Sequence, residues 1–405
     1  MAVHNREIDE TRADLRYGSE IDLFSTASLM DPYADYAALQ AIGPLAYMSR
    51  YGTWVATRYD AVRLILTDAD TFRSGHGIGM NDTLNTAWKD FAPSRDGEDH
   101  APLRLVMMQS VGPKAATAAQ PEIERAAAAL VDEVVSRLEF DAVTELAQML
   151  PILSIVELLG FPADIETRRN LLHWATDAYN CCGPDGSFAA TLPSMQKLYG
   201  FVVENMSRHK MRPGSVGALT FEAVDRGTIT EEQAVGIMGG YATAGLDTTA
   251  SGIGGWLMLL AQNPDQWEVL RDDPALIPSA FQEAVRMESP AQWFTRVTSR
   301  EVAFEDVVIP AGTRIMHSYG AANRDGGKYL DPARYDIRRN PTDHLGFGIG
   351  VHTCMGKWLS NIEAHALMRA FVSRVDRIEL TGPPVRHLNN LIRSLEHLPM
   401  RVHLR

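Results

Sequence analysis

The segment from Thr230 to Gln262 is predicted to form one long helix that constrains the rest of the fold. Thr230 and Gln233 have the spacing of a capping box at a helix start, and Asn263-Pro264 follow where a helix ends. At a rise of about 1.5 Å per residue the helix is roughly 50 Å long, enough to cross a whole domain. Glycine inside a helix costs on the order of 0.5–1 kcal/mol relative to alanine, so the glycines here predict a closely packed neighbour. They are Gly236, Gly239, Gly240, Gly245, Gly252, Gly254 and Gly255.

Small side chains line one face of this predicted helix. Gly240, Ala244, Thr248 and Ser251 recur at spacings of four, four and three, which places them on the same face. Either a flat ligand or a neighbouring helix fits beside such a strip. Asp247 precedes Thr248, and an acid beside a hydroxyl in an apolar helix is costly unless it is hydrogen-bonded or functional. The structural alternative is a Thr248 hydroxyl bonded to the carbonyl one turn earlier.

A glycine-rich loop leads into a helix at Cys354. Its sequence is Phe347-Gly348-Ile349-Gly350-Val351-His352-Thr353-Cys354-Met355-Gly356. The glycines allow backbone conformations closed to other residues, so the chain can approach a large planar ligand closely. A cysteine at a helix entry faces unpaired N–H groups, which favour the thiolate, a metal ligand. A buried structural cysteine is the alternative.

The loop and the Asp247-Thr248 pair resemble the haem-binding signature and the oxygen-activation motif of the cytochrome P450 family. The resemblance extends over nearly the whole chain, with small departures at Gly326 and at Ser360-Asn361. It implies one domain over residues 1–405, mainly α-helical with a small β-rich lobe, and haem b between the central helix and the loop. It implies that Cys354 binds the iron, that Thr248 hydrogen-bonds dioxygen and that Asp247 relays protons.

Further residues are assigned by the same resemblance. Glu283 and Arg286, one helical turn apart, match the family's Glu-x-x-Arg pair, and Arg334 is the expected third member of their buried network. Taken alone, such a pair is common on solvated helix faces. The expected iron ligand is Cys354. Four predicted cations would pair with the two haem propionates: His100, Arg104, Arg296 and His352. Three further residues are expected to contact the haem: Ala244, Phe347 and Gly356.

Composition excludes several classes of function. The net charge of −13 and the lack of a Lys/Arg-rich run argue against nucleic acid binding. Three cysteines, including the vicinal Cys181 and Cys182, form no disulfide framework and fit a reducing cytoplasm. A polar N-terminus and the lack of a long apolar run predict a cytoplasmic protein without a membrane span. Cys181 and Cys182 have no assigned role beyond buried thiols.

The flanking segments carry shorter signals. Strands are predicted around 51–57, 302–309 and 314–318, where β-favouring residues cluster. Pro121, followed by strong helix formers, predicts a helix start.

The substrate is predicted from the tail and from the pocket. Residues 387–396 resemble those of bacterial members that oxidise small aromatics, while Gly239-Gly240-Tyr241 offers no cation for an aromatic acid. A buried carboxylate without a fixed cation is strongly disfavoured. A neutral methoxyphenol undergoing O-demethylation is therefore favoured. The alternatives are a para-substituted benzoate or another small apolar molecule. The predicted pocket residues, each of which ordinary core packing also explains, are His76, Ile78, Met80, Trp88, Phe91, Gly240, Thr243, Ala244, Trp293, Phe294 and Leu391.

The resemblance also implies an electron supply. Two electrons from NAD(P)H are expected to arrive through a ferredoxin or flavodoxin that docks behind Cys354. Four basic side chains are expected there, either as a docking patch or as ordinary solvated surface charge. They are Arg104, Arg338, Arg339 and Lys357. A peroxygenase on the same scaffold and a non-catalytic haem sensor are the other functions considered.

Overall fold

Helices dominate the computed structural model, which describes residues 15–405. Along this part of the chain they are α1 (Thr26–Met30), α2 (Tyr33–Ile42), α3 (Tyr59–Thr67), α4 (Asp82–Ala87), α5 (Gly97–Val111), α6 (Pro113–Val135), α7 (Met149–Leu159), α8 (Ile165–Ala178), α9 (Ser187–Asn205), α10 (Val216–Asp225), α11 (Glu231–Gln262), α12 (Pro264–Asp272), α13 (Ile277–Glu288), α14 (Tyr319–Ala322) and α15 (Lys357–Val372). None of these helices is long and apolar enough to cross a membrane.

Short strands form the smaller part of the fold. They are β1 (Gly18–Ser19), β2 (Leu45–Met48), β3 (Thr53–Ala56), β4 (Phe72–Arg73), β5 (Glu139–Asp141), β6 (Trp293–Thr298), β7 (Val302–Phe304), β8 (Val307–Ile309), β9 (Arg314–Ser318), β10 (Val375–Leu380), β11 (Val385–His387), β12 (Ser394–His397) and β13 (Pro399–Leu404). The main sheet has the order β1-β2-β3-β9-β6-β4, and β10-β13-β5 form a second sheet. The predicted early and late strands are confirmed, as is the mainly α-helical class with a β-rich lobe.

The predicted central helix is α11, and its boundaries are those indicated by the capping box. The Gln233 N–H donates to the Thr230 hydroxyl over 3.2 Å, and the Thr230 N–H donates to the Gln233 side-chain oxygen over 2.9 Å. The helix ends at Gln262, before Asn263-Pro264. Helices α7, α8, α9, α13 and α15 all pack against it, so α11 forms the centre of the larger hydrophobic core.

Three of the seven glycines of α11 are explained by close packing. A Cβ on Gly239 would lie 2.5 Å from Tyr199, one on Gly255 would lie 3.0 Å from Glu288, and one on Gly245 would lie 3.3 Å from Ile155. Gly240 differs, because a Cβ there would meet no atom within 4 Å. The neighbouring-helix alternative is therefore correct for much of α11, and Gly240 marks the stretch that stays open.

The predicted helix start at Pro121 is wrong. Helix α6 begins eight residues earlier at Pro113, with Gly112 as its N-cap, and Pro121 lies inside it. Proline in a helix interior removes one backbone hydrogen bond. Packing of α6 along α15 compensates for that loss. The prediction that residues 1–405 form one domain stays a prediction, since residues 1–14 lie outside the described part.

Candidate active site

The Cys354 loop has the conformation that its glycines permit. Gly348 and Gly350 have φ values of 61° and 78°, in the left-handed region that favours glycine. A Cβ on Gly350 would lie 2.6 Å from the Leu66 carbonyl oxygen, so the loop backbone packs directly on α3. The Cys354 N–H donates to the Phe347 carbonyl over 2.8 Å, which closes the loop just before α15.

Several neighbouring groups shift the pKa of the Cys354 thiol in opposite directions. Cys354 has accessible surface, yet its thiol is surrounded by protein atoms, as is a group that faces an internal cleft. Burial is the larger influence and raises the pKa of the thiol, while the N–H groups of Gly356 and Lys357 and the charge of Arg104 oppose this rise. These groups favour the thiolate in the way expected at a helix entry.

One face of α11 is open beside this loop. Ala244 is exposed and Gly240 and Thr248 are half-buried, although most of the helix is buried. Arg104 acts electrostatically on both Cys354 and Tyr241, which places it close to both the loop and α11. The Tyr241 hydroxyl lies 3.0 Å from the Ser110 hydroxyl and ties α11 to α5. A strip of small side chains and a thiol at the helix entry suit a flat, metal-containing group such as haem.

The four predicted propionate partners come together from three segments. The rings of His100 and His352 are 4.4 Å apart, and Arg104 and Arg296 both act on His352. Arg104 also donates a hydrogen bond to the Thr353 carbonyl. Arg296 is buried and donates a hydrogen bond to the adjacent Thr295 carbonyl over 2.9 Å, and no carboxylate of residues 15–405 lies within 4.0 Å of it. A buried guanidinium left in this way fits a ligand carboxylate.

His100 differs from the prediction of four cations. Burial, with the charges of His352 and Arg104, lowers the pKa of His100 to about 4. Burial also lowers the pKa of His352. The positive charge of this cluster therefore comes from Arg104 and Arg296, and the two imidazoles act as hydrogen-bonding groups.

Asp96 organises this cluster and was missed in the sequence. Its carboxylate accepts the Gly75 N–H over 2.7 Å and the Ser74 N–H over 3.1 Å, and lies 3.5 Å from His352. Burial alone would raise the pKa of Asp96, but these hydrogen bonds hold it at about 2. The sequence signal was the acidic run before α5, which resembles ordinary surface charge.

Asp247 and Thr248 lie in the same turn of α11, but their side chains point in different directions. The Thr248 hydroxyl donates to the Ala244 carbonyl over 2.7 Å, which is the structural alternative considered from the sequence. Its lone pairs still accept hydrogen bonds. Asp247 is buried and receives a long 3.4 Å hydrogen bond from Ser251, and no described residue hydrogen-bonds to its Oδ2. Burial raises the pKa of Asp247 to about 6.

The Glu283–Arg286 pair is fully buried and bidentate, with distances of 2.7 and 2.8 Å. Arg286 also donates to the carbonyls of Asn323 and Pro332. The expected third member is wrong. Arg334 is exposed and contributes only its carbonyl, 3.4 Å from Arg286, whereas Arg339 donates to Glu283 over 3.0 Å.

The predicted basic patch changes as a result. The Arg339 side chain belongs to the buried network and Arg104 to the Cys354 loop. Arg338 remains exposed, and the Lys357 ammonium lies 4.8 Å from the Trp358 ring.

Aromatic side chains form a continuous wall near α11. Trp88 and Phe91 stack at 5.5 Å, and Phe91 meets the edge of Tyr199 at 5.6 Å. Tyr199, missed in the sequence, packs closely against Gly239, and that helix glycine was its only signal in the sequence. The Tyr199 hydroxyl is buried near Thr243 without an aligned hydrogen bond, since Thr243 donates to the Gly239 carbonyl.

The loop that carries His76, Ile78 and Met80 is pinned on two sides. The Thr295 N–H donates to the Ile78 carbonyl, and the Met80 N–H donates to the Cys182 carbonyl, both over 2.9 Å. His76 is exposed. Cys181 and Cys182 are fully buried behind this loop.

The predicted pocket position of Trp293 is wrong. The Trp293 ring meets Phe24 edge-on at 5.5 Å, and its indole N–H donates to the Asn390 carbonyl over 2.8 Å. Leu391 has no accessible surface, and its place in the pocket stays a prediction. Phe294, on the other face of β6, lies 6.2 Å from Tyr319, which also interacts with Arg296 and Cys354.

Comparisons with known proteins cover nearly all of the chain. Residues 204–386 match the family model described as Cytochrome P450. Cytochrome p450 CYP199A2 from Rhodopseudomonas palustris is 34% identical over 387 residues, 94% of this chain and 93% of that protein. 6-Deoxyerythronolide B hydroxylase from Saccharopolyspora erythraea is 28% identical, with coverage of 94% and 98%. The solved structure of cytochrome P450 CYP109Q5 from Chondromyces apiculatus matches with a TM-score of 0.83 at 28% identity, with coverage of 96% and 99%.

Proposed function

Since the chain belongs to the cytochrome P450 family of haem b monooxygenases, we propose that it hydroxylates or O-demethylates a small neutral aromatic, of which a methoxyphenol is the model. The observation that carries the proposal is the open face of α11, with Ala244 and Thr248, beside the Cys354 loop. An aromatic wall of Trp88, Phe91 and Tyr199 borders the same helix.

The chemistry divides between cofactor and protein. Haem b, when bound, supplies the reductive activation of O2, by which one oxygen atom enters the substrate and the other leaves as water, with two electrons and two protons consumed. Cys354 would hold the iron, while Arg104 and Arg296, with His100 and His352, would hold the propionates.

Asp247 and Thr248 would handle the protons. A carboxyl with a pKa of about 6 gains and loses a proton readily near neutral pH, which suits a relay. The Thr248 hydroxyl is fixed by its bond to the Ala244 carbonyl, so its lone pairs have a constant direction. Together they would carry a proton from the α8 side of α11 to its open face.

The preference for a neutral substrate rests on the charges of the pocket. Apart from the exposed His76, the residues predicted to line the pocket carry no cationic side chain. Transfer of a carboxylate into such a site would leave it unpaired at a cost of several kcal/mol. The Tyr199 hydroxyl, buried without an aligned partner, would instead bond a phenol or methoxy oxygen.

Electrons would come from a ferredoxin or flavodoxin that is reduced by NAD(P)H. Lys357, at the start of α15 next to the Cys354 loop, and the exposed Arg338 supply positive charge on a protein of net charge −13. This local positive charge would orient an acidic redox protein as it docks.

A spin-state titration of the ferric protein tests the substrate class. Methoxyphenols are expected to shift the Soret band toward the high-spin form, while the matched methoxybenzoates are expected to shift it little. With a reductase chain, methoxyphenol turnover should yield one formaldehyde for each NAD(P)H consumed. The Tyr199→Phe variant should bind methoxyphenols about tenfold more weakly through loss of one hydrogen bond.

Other outcomes would correct the proposal. A response to benzoates alone would replace the neutral substrate by an aromatic acid. Turnover that needs hydrogen peroxide and no reductase would show a peroxygenase, and NAD(P)H that is never consumed with any aromatic would favour a sensor.

A further inference from the structure

A second cavity lies away from the Cys354 loop, where α13, the end of α11 and the residues before β12 meet. Its volume is about 460 Å³. Four arginines line it, together with two carboxylates, so two positive charges are in excess. The charged residues are Arg324, Arg334, Arg386, Arg393, Asp31 and Glu288.

One carboxylate is already shared by two of these arginines. Glu288 is buried, and its Oε2 lies 2.8 Å from Arg386 and 3.4 Å from Arg393. Burial alone would raise the pKa of Glu288, but the charges of Arg386 and Arg393 hold it at about 2. Glu288 is therefore ionised near neutral pH, and its negative charge is paired with Arg386 and Arg393.

The other two arginines have no such partner. Among residues 15–405 no carboxylate lies within 4.0 Å of Arg324 or Arg334. Arg324 lies flat over the Tyr33 ring at 3.8 Å and donates to the Met287 carbonyl over 3.1 Å, so its position is fixed. Arg334 is exposed, and its side chain donates no hydrogen bond to any residue in the described part of the chain. Asp31 also lines the cavity, and from residues 15–405 its side chain accepts only a long 3.4 Å bond, from the Tyr33 N–H.

We propose that this cavity binds the phosphate group of a phosphorylated small molecule, between the guanidinium groups of Arg324 and Arg334. Guanidinium is planar and pairs bidentately with phosphate oxygens, and one stacked and one free arginine provide a fixed and an adjustable side of the site. The volume is that of a small-molecule site and exceeds the size of one phosphate group. Tyr33, Met287 and Pro384 offer apolar surface to the rest of the ligand.

Binding of a ligand in this cavity would also stabilise the buried Glu283–Arg286 network. The carbonyl oxygens of Pro332 and Arg334 both accept from Arg286, at 2.9 and 3.4 Å. A ligand that holds the Arg334 side chain also holds the backbone that accepts these bonds. Occupancy is therefore expected to raise the thermal stability of the holoenzyme as well as to be measurable by calorimetry.

Calorimetric titration of the holoenzyme with inorganic phosphate and pyrophosphate, at constant ionic strength set by sodium chloride, tests the proposal. The wild type should bind pyrophosphate more tightly than phosphate, and both should raise its Tm. The Arg334→Gln variant should bind pyrophosphate about tenfold more weakly, as expected for loss of one charge-assisted contact. The Arg338→Gln variant, which removes an exposed arginine of the same segment outside the cavity, should bind like the wild type.

Three results would overturn the proposal. Equal weakening by Arg334→Gln and Arg338→Gln would show a general charge effect, and absence of any heat or Tm shift would show that no oxyanion binds. Citrate that binds as tightly as pyrophosphate would show a site for charge without phosphate geometry. Arg324→Lys, which keeps the charge and loses the planar fork, should also weaken pyrophosphate binding and provides a second variant that retains the local charge.

Discussion

Glu363 provides a quantitative test of the packing around α15. Its side chain is fully buried, the Ser154 hydroxyl of α7 donates to its Oε1, and its Oε2 has no partner. Burial raises the pKa of Glu363 from 4.5 to about 8, and the Ser154 hydrogen bond opposes this shift only in part. The folded protein therefore holds this carboxyl in its neutral form at pH 7, so Glu363→Gln preserves its shape and removes its titration.

The sign of the pH effect follows from the raised pKa. Below about pH 4.5 both the folded and the unfolded chain hold the proton, and the contribution of Glu363 to stability is complete. Between about 4.5 and 8 the unfolded chain loses the proton while the folded protein keeps it, so stability falls as pH rises. Above the folded pKa both forms are ionised and the loss is complete.

The magnitude can be worked out for a convenient window. One pH unit in this range changes the free energy of unfolding by about 1.4 kcal/mol, so the step from pH 6 to pH 8 removes about 2–3 kcal/mol. The entropy of unfolding scales with chain length, and for 405 residues this free energy corresponds to a Tm difference of about 3 °C. All other titrating groups are common to both proteins and cancel.

Thermal unfolding of holoenzyme at pH 6 and pH 8 measures the effect. The wild type should lose about 3 °C more than Glu363→Gln over this interval. Glu122→Gln, which changes an exposed carboxyl on α6, should behave like the wild type. Equal pH dependence of the wild type and Glu363→Gln would refute the conclusion that this carboxyl is neutral in the folded protein.

Further substitutions test other parts of the structure. Arg286→Leu leaves the buried Glu283 without its bidentate partner, should lower stability by about 3–5 kcal/mol, and should accelerate haem release, measured by transfer to apomyoglobin. Gly239→Ala should destabilise by about 1–2 kcal/mol because overpacking against Tyr199 outweighs the gain in helix propensity, whereas Gly240→Ala, with open space, should stabilise by up to about 1 kcal/mol. Denaturation of both alanine variants would check this difference in sign. Asn81→Ala removes hydrogen bonds of 2.8 and 2.9 Å to the carbonyls of Cys181 and Gly183 and should increase deuterium uptake in residues 176–187, while uptake in α15 stays unchanged.

Local signals in the sequence predicted local structure well. Thr230 and Gln233 define the start of α11 because a capping box is complete within four residues. The Cys354 loop was predictable for the same reason, since positive φ at Gly348 and Gly350 depends on glycine at those positions. Pro121 misled because its effect depends on packing between α6 and the distant α15.

Long-range pairing was beyond the sequence. Arg334 and Arg339 lie in one irregular segment that passes the buried Glu283–Arg286 pair. Which of them turns inward depends on the course of the backbone, and the structure places the Arg339 side chain on Glu283 and the Arg334 carbonyl near Arg286. Spacing along the chain carries no information on this choice, because a loop has no fixed period.

The misplacement of Trp293, by contrast, was avoidable from the sequence. Side chains alternate between the two faces of a strand, so a residue at an even spacing from Arg296 shares its face and one at an odd spacing does not. Phe294 therefore accompanies Arg296 toward Tyr319, while Trp293 turns to Phe24. Because Arg296 was already assigned to a propionate, that assignment and a pocket position for Trp293 were inconsistent within one strand. The same reasoning makes Phe294 the residue of β6 whose substitution should alter substrate binding.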